Sequence, residues 1–233
     1  MKFAIISDIH ANLEALSKAL EAIEKEAVDK VLCLGDVVGY GANPNECVEL
    51  VRERCSVVLL GNHDLAAVDL SVAESFTENA RVAAHWTSQE LTPANKDFLK
   101  GLPYTAVVEG ALLVHSSPYE PEEWHYIISE YDARGVFPHF NEPICFIGHS
   151  HVAGIFAETS SNQNVRRGER FIVNVGSIGQ PRDRNPDLSF GIFDSSRWEY
   201  RNVRWAYDAE GAARQIQEAG LPLALAERIL RGV

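Results

Sequence analysis

Asp, Asn and His side chains follow five separate apolar runs of this chain, at the points where the runs end. Such groups bind divalent metal ions, and the carboxyl ends of strands in an open α/β sheet form the edge where ligands bind. Any one of them has a structural explanation, because Asp and Asn after a strand also form turns and helix caps. Their recurrence at five strand ends favours a metal site. The predicted ligands are Asp8, His10, Asp36, Asn62, His115, His149 and His151.

The predicted ligand set consists of three oxygen donors and four imidazoles, without a thiolate. Mixed oxygen and nitrogen donors suit manganese, iron or zinc better than calcium or a zinc held by cysteines. Seven ligands exceed what one tetrahedral ion needs, and they suffice for two ions if one carboxylate bridges. Two divalent ions roughly 3.5–4 Å apart clamp a phosphate and lower the pKa of a shared water. The pattern therefore predicts a dinuclear site for phosphate-ester hydrolysis by metal-bound hydroxide.

Short apolar runs alternate with helical patterns in the first part of the chain, a rhythm typical of a parallel, buried sheet in an α/β protein. Leu13, Leu16, Leu20 and Ile23 lie at helical spacing between the first two runs. The predicted strands are 2–7, 30–35 and 56–61, and the predicted helices between them are 12–27 and about 45–54.

The second part of the chain is richer in strands. A hairpin is predicted at 104–115 with its turn at Glu109-Gly110, and a helix at 121–135 that ends at Gly135. Two stacked sheets with helices outside accommodate both parts, so we predict one α/β domain over residues 1–233. Its helical insertions are expected at about 65–101 and 117–142, and a C-terminal helical extension at about 208–233. The remaining predicted strands are 144–148, 152–158, 170–177, 188–195 and 198–205.

The formal net charge of the 233-residue chain is −12, which argues against nucleic acid as a partner. A compact phosphate ester is compatible with that charge, because bound cations reverse the local potential. No apolar run approaches the roughly 20 residues needed to cross a bilayer, and the first residues do not form the apolar segment of a signal peptide. The expected location is the cytoplasm, without a membrane partner. The polar segment 159–169 is predicted to be an exposed loop, and the oligomeric state is left open.

Five sequence blocks carry the predicted ligands. They are Asp8-x-His10, Gly35-Asp36-x-x-Gly39, Gly61-Asn62-His63-Asp64, His115 and Gly148-His149-x-His151. Together these blocks resemble the calcineurin-like metallophosphoesterase superfamily, and all five are intact over about two thirds of the chain. The resemblance implies a four-layer αββα sandwich, in which helices flank two mixed β-sheets.

The resemblance also implies a role for each block. One metal ion would be held by Asp8, His10, Asp36 and His151. The other would be held by Asp36, Asn62, His115 and His149, with Asp36 bridging the two. His63 would be the catalytic residue, by donating a proton to the leaving oxygen or by stabilising its charge. Asp64 has two interpretations, which are orienting a neighbouring group and capping the next helix.

Two sequence features narrow the expected substrate. Protein phosphatases of the superfamily carry Asp and Arg soon after the second-block aspartate, where this chain has Gly39 and Tyr40. The block NVGSIGQPRD (174–183) is instead similar to small bacterial and archaeal phosphodiesterases that resemble diadenosine tetraphosphate hydrolases. The expected activity is phosphodiester hydrolysis of a small nucleotide-type substrate. A phosphomonoesterase or protein phosphatase is one alternative, and a non-catalytic metal-binding scaffold of the same fold is another.

Two further side chains are candidates for substrate binding. Tyr40 follows the bridging aspartate by four residues, and it either stacks on a base or sugar or packs in the interior. Arg182 follows a glycine-rich strand end, and it either holds a phosphate bidentately or forms a surface ion pair. Residues 117–142 are expected to combine a packed helix with a leading loop near the site.

Overall fold

The computed structural model describes residues 1–160 and 163–233 of the protein. Ten strands and eight α-helices lie within these ranges. The strands are β1 (Lys2–Ile6), β2 (Lys30–Cys33), β3 (Val57–Val58), β4 (Thr105–Val108), β5 (Ala111–Val114), β6 (Ile144–Ile147), β7 (Gly154–Ala157), β8 (Phe171–Asn174), β9 (Leu188–Asp194) and β10 (Glu199–Trp205). The helices are α1 (Leu13–Glu24), α2 (Pro44–Arg54), α3 (Asn62–Val68), α4 (Glu78–Glu90), α5 (Pro93–Lys100), α6 (Glu130–Val136), α7 (Ala209–Glu218) and α8 (Leu223–Arg231).

The strands of the described chain form two mixed five-stranded sheets. The first sheet has the order β10-β9-β1-β2-β3, in which β1, β2 and β3 are parallel and β9 and β10 are antiparallel to their neighbours. The second sheet has the order β4-β5-β6-β8-β7, in which β5, β6 and β8 are parallel. In each sheet, three parallel strands therefore bring their carboxyl ends to one edge.

The two sheets pack face to face over an apolar core that is rich in aromatic residues. Phe193 of the first sheet meets Phe146 of the second, with ring centroids 5.3 Å apart. The other face of the first sheet is covered by α1 and α2 through residues such as Leu16. The other face of the second sheet is covered by α6 and the following turn through Phe137. This order of helix, sheet, sheet and helix confirms the predicted four-layer αββα fold class.

The predicted helix at 121–135 is wrong. A 3-10 turn covers Pro121–Glu123, residues 124–129 form no helix, and α6 begins only at Glu130. The Ser129 side chain caps this helix by accepting the N–H of Asp132, and the helix continues through the predicted end at Gly135. A capping box fixes the start of α6 there, so the preceding apolar residues remain in a loop.

Other predicted elements lie close to their expected bounds, including the hairpin that turns at Glu109-Gly110. The third predicted strand, 56–61, is shorter than expected, because only Val57–Val58 pairs with β2. Residues 161–162, which belong to the predicted loop at 159–169, lie outside the described residues. No helix of the described chain combines the length and the apolar character needed to cross a membrane.

Candidate metal centre

All seven predicted ligands lie at the edge where the parallel strands of both sheets end. They are Asp8 and His10 after β1, Asp36 after β2, Asn62 after β3, His115 after β5, and His149 and His151 after β6. Six of them form two buried clusters, and the ligand atoms within each cluster lie within 4.8 Å of one another. The clusters are Asp8, His10, Asp36 and His151, and Asp36, His115 and His149. The Asp36 side chain belongs to both, and Asn62 lines a pocket together with His149.

The backbone turns sharply at five of these positions. Asp8, His10, Asp36, His149 and His151 have φ angles between 51° and 63°, in the left-handed region that residues other than glycine rarely adopt. Conformations of this kind cost on the order of 1–3 kcal/mol each and are found mainly at functional sites. The turn explains how His149 and His151, only two residues apart, reach different clusters.

Backbone carbonyl groups fix the tautomers of three imidazoles. The Nδ1 atoms of His10, His115 and His151 lie 3.1, 3.1 and 2.5 Å from the carbonyl oxygens of Val38, Leu34 and Gln180. Because a carbonyl oxygen only accepts hydrogen bonds, each Nδ1 atom carries the hydrogen. The Nε2 atoms therefore face the centre, where the neutral form of each ring can bind a metal ion.

The residues present fit a pair of divalent cations, because several buried polar atoms have no partner in the described chain. The Nε2 atoms of His10 and His151 lie 3.0 Å apart, although neither carries a hydrogen to donate. Leaving a buried polar atom unpaired costs about 1–3 kcal/mol, and a cation would satisfy several at once. Further buried atoms without a hydrogen-bond partner are Asn62 Oδ1 and His149 Nε2, whereas Asp36 Oδ2 and His115 Nε2 lie 3.3 Å from each other.

The charges of the centre depend on one another. Burial raises the pKa of Asp36, but the imidazoles of His115 and His63 hold that pKa well below its usual range. Burial lowers the pKa of His115, yet the Asp36 carboxylate outweighs this effect and raises it to about 9. Burial lowers the pKa of His63 to about 4 and that of His149 to about 3. At pH 7 the centre without cations therefore contains an ionised Asp36, a protonated His115, and neutral His63 and His149.

Gly61 and Gly148 allow the strand ends to approach one another. A Cβ atom on Gly61 would overlap the carboxylate and the backbone nitrogen of Asp36. A Cβ atom on Gly148 would overlap the side chains of Ser7 and Asp8. Any larger residue at either position would therefore displace a predicted ligand.

His63 lies in the first turn of α3, buried at the rim of the centre. Its ring contacts those of Tyr40, Phe76 and His10, with centroid distances of 4.4, 4.7 and 4.9 Å. Its backbone N–H donates to Asp36 Oδ1 at 2.8 Å. The ring is thus held beside the two clusters without belonging to either.

Asp64 combines both of the functions considered from the sequence. One carboxylate oxygen accepts the N–H of Gly61 at 3.1 Å, which caps α3. The other accepts the N–H of Val38 at 3.0 Å and so holds the loop that follows Asp36. Asp64 therefore holds the backbone on either side of the centre in place, and its carboxylate belongs to neither cluster.

An aromatic pocket of about 310 Å³ opens beside the second cluster. Tyr126 stacks on the ring of His149, with centroids 4.1 Å apart, and Trp124 meets the edge of His115 at 5.9 Å. Both aromatic residues come from the loop before α6, where a packed helix was predicted. The segment near the site is therefore part of the predicted helix and not only the loop that leads into it. The pocket is lined by Tyr40, Asn62, His63, Phe76, Trp124, Tyr126 and His149, among others.

The two predicted substrate-binding side chains lie next to each other. The Arg182 guanidinium carbon is 5.9 Å from the ring centroid of Tyr40. Tyr40 is 7% exposed and packs against apolar residues of α7 and α8, so packing accounts for most of its surface. Arg182 donates to Gln180 Oε1 at 3.0 Å and makes no ion pair with an Asp or Glu side chain in the described chain.

The sequence patterns do not identify two further residues of this region. The carbonyl oxygen of Gln180 fixes the tautomer of His151, and the Phe76 ring packs on His63. No local signal marks these residues, because their positions depend on how distant segments pack.

Over residues 1–197 the sequence matches the calcineurin-like phosphoesterase superfamily domain. The chain therefore belongs to the calcineurin-like phosphoesterase superfamily. This membership and the buried Asp and His clusters together support metal-dependent hydrolysis of phosphate esters.

Similar proteins extend over the whole chain. An uncharacterised protein of Methanocaldococcus jannaschii is 36% identical over 240 residues, which cover 98% of this chain and 97% of that protein. The crystal structure of a metallophosphoesterase from Sphaerobacter thermophilus has a TM-score of 0.89 and 36% identity, and the match covers 100% of this chain and 99% of that one. A putative diadenosine tetraphosphatase shares the fold, with a TM-score of 0.57, 18% identity, and coverage of 88% of this chain and 94% of its own.

Proposed function

We propose that the protein is a phosphodiesterase that hydrolyses a small nucleotide-type ester at a centre of two divalent cations. The observation that carries the proposal is the pair of buried clusters that share the Asp36 carboxylate. Bound manganese, iron or zinc would polarise the phosphate oxygens and lower the pKa of a coordinated water. One cation is assigned to Asp8, His10, Asp36 and His151. The other is assigned to Asp36, Asn62, His115 and His149.

We assign to His63 the role of stabilising the leaving group. Hydrolysis forms a bond between a water oxygen and phosphorus and breaks the bond between phosphorus and the leaving oxygen, which takes up a proton. The His63 ring lies at the rim of both clusters without belonging to either. Because burial lowers its pKa to about 4, the imidazole is neutral at pH 7, and its N–H group stabilises the charge on the leaving oxygen by hydrogen bonding.

The preference for a nucleotide rests on the aromatic pocket. Aromatic side chains offer flat surfaces on which a base stacks, at about 1–3 kcal/mol per base. Tyr126 and Trp124 supply such surfaces directly beside the second cluster. His63 lines the same pocket, so the pocket would hold an organic group of the ester next to the second cluster. In this proposal residues 1–233 act as one domain.

A substrate panel tests the proposal. Protein loaded with manganese, iron or zinc is assayed with bis(p-nitrophenyl) phosphate, p-nitrophenyl phosphate, cyclic nucleotides and dinucleoside polyphosphates. A higher kcat/KM for the diesters than for the monoester supports the assignment. Preference for the monoester would replace it with a phosphomonoesterase, and bound metal without turnover of any ester would favour a binding scaffold.

A further inference from the structure

The guanidinium group of Arg182, in the loop after β8, is held in place by the side chain of Gln180. Gln180 Oε1 accepts hydrogen bonds from Arg182 Nε at 3.3 Å and from Arg182 Nη2 at 3.0 Å. Gln180 is only 1% exposed, so this acceptor is itself fixed by packing. The ring of Pro181, between the two residues, fixes its own φ at about −65°. The orientation of Arg182 is thus set before any ligand binds, which lowers the entropic cost of binding.

The same glutamine also holds a predicted metal ligand. The main-chain oxygen of Gln180 accepts the Nδ1 hydrogen of His151 at 2.5 Å, and its N–H donates to Ser177 Oγ at 2.8 Å. Ser177 Oγ in turn donates to the main-chain oxygen of Asp8 at 2.8 Å. The backbone N–H of Arg182 donates to the main-chain oxygen of His151 at 3.2 Å. One short segment therefore ties Arg182 to two predicted ligands of the first cluster.

The Arg182 guanidinium group lies one aromatic ring away from the centre. Its carbon atom is 5.9 Å from the ring centroid of Tyr40. The Tyr40 centroid is in turn 4.7 Å from that of His10, a predicted ligand, and 4.4 Å from that of His63. The guanidinium group is therefore close to the side of the centre at which the phosphate ester would be hydrolysed.

No carboxylate neutralises Arg182 in the parts of the chain that the structure describes. Asp183, its neighbour in sequence, pairs with Arg204 instead. Two of the five N–H groups of Arg182 donate to Gln180, and the others remain available to an acceptor. Paired guanidinium donors match the oxygens of a phosphate. A half-buried arginine without a carboxylate, in a chain with a net charge of −12, is suited to an anion from outside the chain.

We propose that Gln180 is a positioning residue for both metal and substrate. Its main chain fixes His151 for one cation, and its side chain orients Arg182 to bind an oxygen of the phosphoryl group that is hydrolysed. This inference rests on the proposed function and adds a substrate-binding residue and the residue that orients it. Arg182 would stabilise the negative charge that develops on the phosphoryl oxygens during hydrolysis. Because only the second role uses the Gln180 side chain, substitution can separate the two roles.

Binding of inorganic phosphate to the manganese-loaded protein tests the role of Arg182 without turnover. We expect Arg182→Gln to weaken phosphate binding, measured by calorimetry, by at least about tenfold, because charge-assisted hydrogen bonds are lost. Arg182→Lys keeps the charge without the paired donors, so its affinity should lie between the two. Arg184→Gln is the matched control, because it removes the same charge from an exposed position of the same loop. Unchanged affinity in Arg182→Gln, or no phosphate binding by the unmodified protein, overturns the proposal.

A double-mutant cycle tests the positioning role of Gln180. Gln180→Leu removes the side-chain acceptor and keeps the main-chain oxygen, so manganese content should be unchanged while phosphate affinity falls by about threefold to tenfold. In an Arg182→Gln background the same substitution should change phosphate affinity by less than about twofold, because no guanidinium group is left to orient. An equal loss of affinity in both backgrounds would make the role of the Gln180 side chain purely structural and would contradict the proposal.

Turnover separates this inference from the proposed function. The value of kcat/KM for bis(p-nitrophenyl) phosphate should fall by about tenfold in Arg182→Gln and stay unchanged in Arg184→Gln. If the protein hydrolyses no ester with any metal while phosphate binding still depends on Arg182 and Gln180, the proposed function fails and the arginine site stands. If hydrolysis proceeds and Arg182→Gln changes neither kcat/KM nor phosphate affinity, the inference fails and the proposed function stands.

Discussion

The Nε2 atoms of His10 and His151 lie 3.0 Å apart, although the two residues are 141 positions apart in the chain. His10 follows a strand of the first sheet and His151 follows a strand of the second. Both rings donate their Nδ1 hydrogen to a backbone carbonyl, so two lone pairs face each other. Both lone pairs would coordinate a shared cation, which would remove their repulsion. This is a physical reason to expect bound metal.

Replacement of Asp36 is expected to remove both ions, because its carboxylate belongs to both clusters. Asp8→Asn changes only the first cluster and is expected to leave about one ion per chain. Hydrolysis should fall by more than about 100-fold in either variant. Elemental analysis after gel filtration measures the ions, and two ions per chain in Asp36→Asn would contradict the shared role.

His63→Asn is expected to keep both ions and to lose turnover. Removing a group that acts on the leaving oxygen lowers kcat by about 10²–10⁴-fold. The same substitution at His85, an exposed residue of α4, is the matched control and should leave kcat unchanged. A normal rate in His63→Asn would exclude this role.

Gly61→Ala is expected to weaken metal binding, because the added methyl group would displace the Asp36 carboxylate and backbone. The overlap should also lower the free energy of unfolding by about 1–3 kcal/mol. Gly135→Ala in α6 serves as the control, because nothing lies within 4 Å of its added Cβ atom. Urea denaturation and metal content are measured on both variants. Equal unfolding free energies and equal metal contents in the two variants would contradict this interpretation.

Metal binding is expected to release a proton at pH 7. Asp36 raises the pKa of His115 to about 9 in the metal-free protein, so His115 is protonated there. A metal ligand must be deprotonated, and metal affinity should therefore rise with pH up to about 9. Calorimetry in two buffers of different ionisation enthalpy counts the protons released. His115→Asn should release about one proton fewer, and an unchanged count would assign the proton to another group.

Chelation is expected to abolish hydrolysis and to leave the sheets folded. The core between the sheets contains Phe146 and Phe193, and it does not include the ligand side chains. Far-ultraviolet circular dichroism should therefore be unchanged after chelation, and activity should return when manganese is added. Loss of the whole spectrum would show that the core depends on the metal.

The meeting of the predicted ligands at one edge could be predicted because they follow apolar runs, and parallel strands bring such positions to one edge. The 121–135 helix could not be predicted correctly from spacing. Ile127, Ile128 and Tyr131 have the spacing of a buried stripe, but Ile128 is 69% and Tyr131 86% exposed. Trp124 has a φ of 56°, which a helix does not permit, and its ring lies against His115. The Ser129 capping box is a local signal for the start of α6, whereas the contact of the preceding loop with the centre depends on tertiary structure.

The packing of Tyr40 could not be predicted for a related reason. The local sequence leaves open whether Tyr40 stacks on a substrate or packs in the interior, and only the tertiary structure brings apolar residues of α7 and α8 against it. The sequence can thus predict the fold and the edge at which the predicted ligands meet, whereas the residues that surround this edge depend on tertiary structure.

Each cluster draws side chains from both sheets, since Asp8, His10 and Asp36 follow strands of the first sheet and His115, His149 and His151 follow strands of the second. A bound cation would cross-link the two halves of the sandwich, so the sheets could not separate at this edge until the ion left. The melting temperature should then rise with free metal concentration by mass action. The melting temperature would then report how much metal the protein has bound. A molecule without metal would separate between its sheets at a lower temperature than a molecule with both ions.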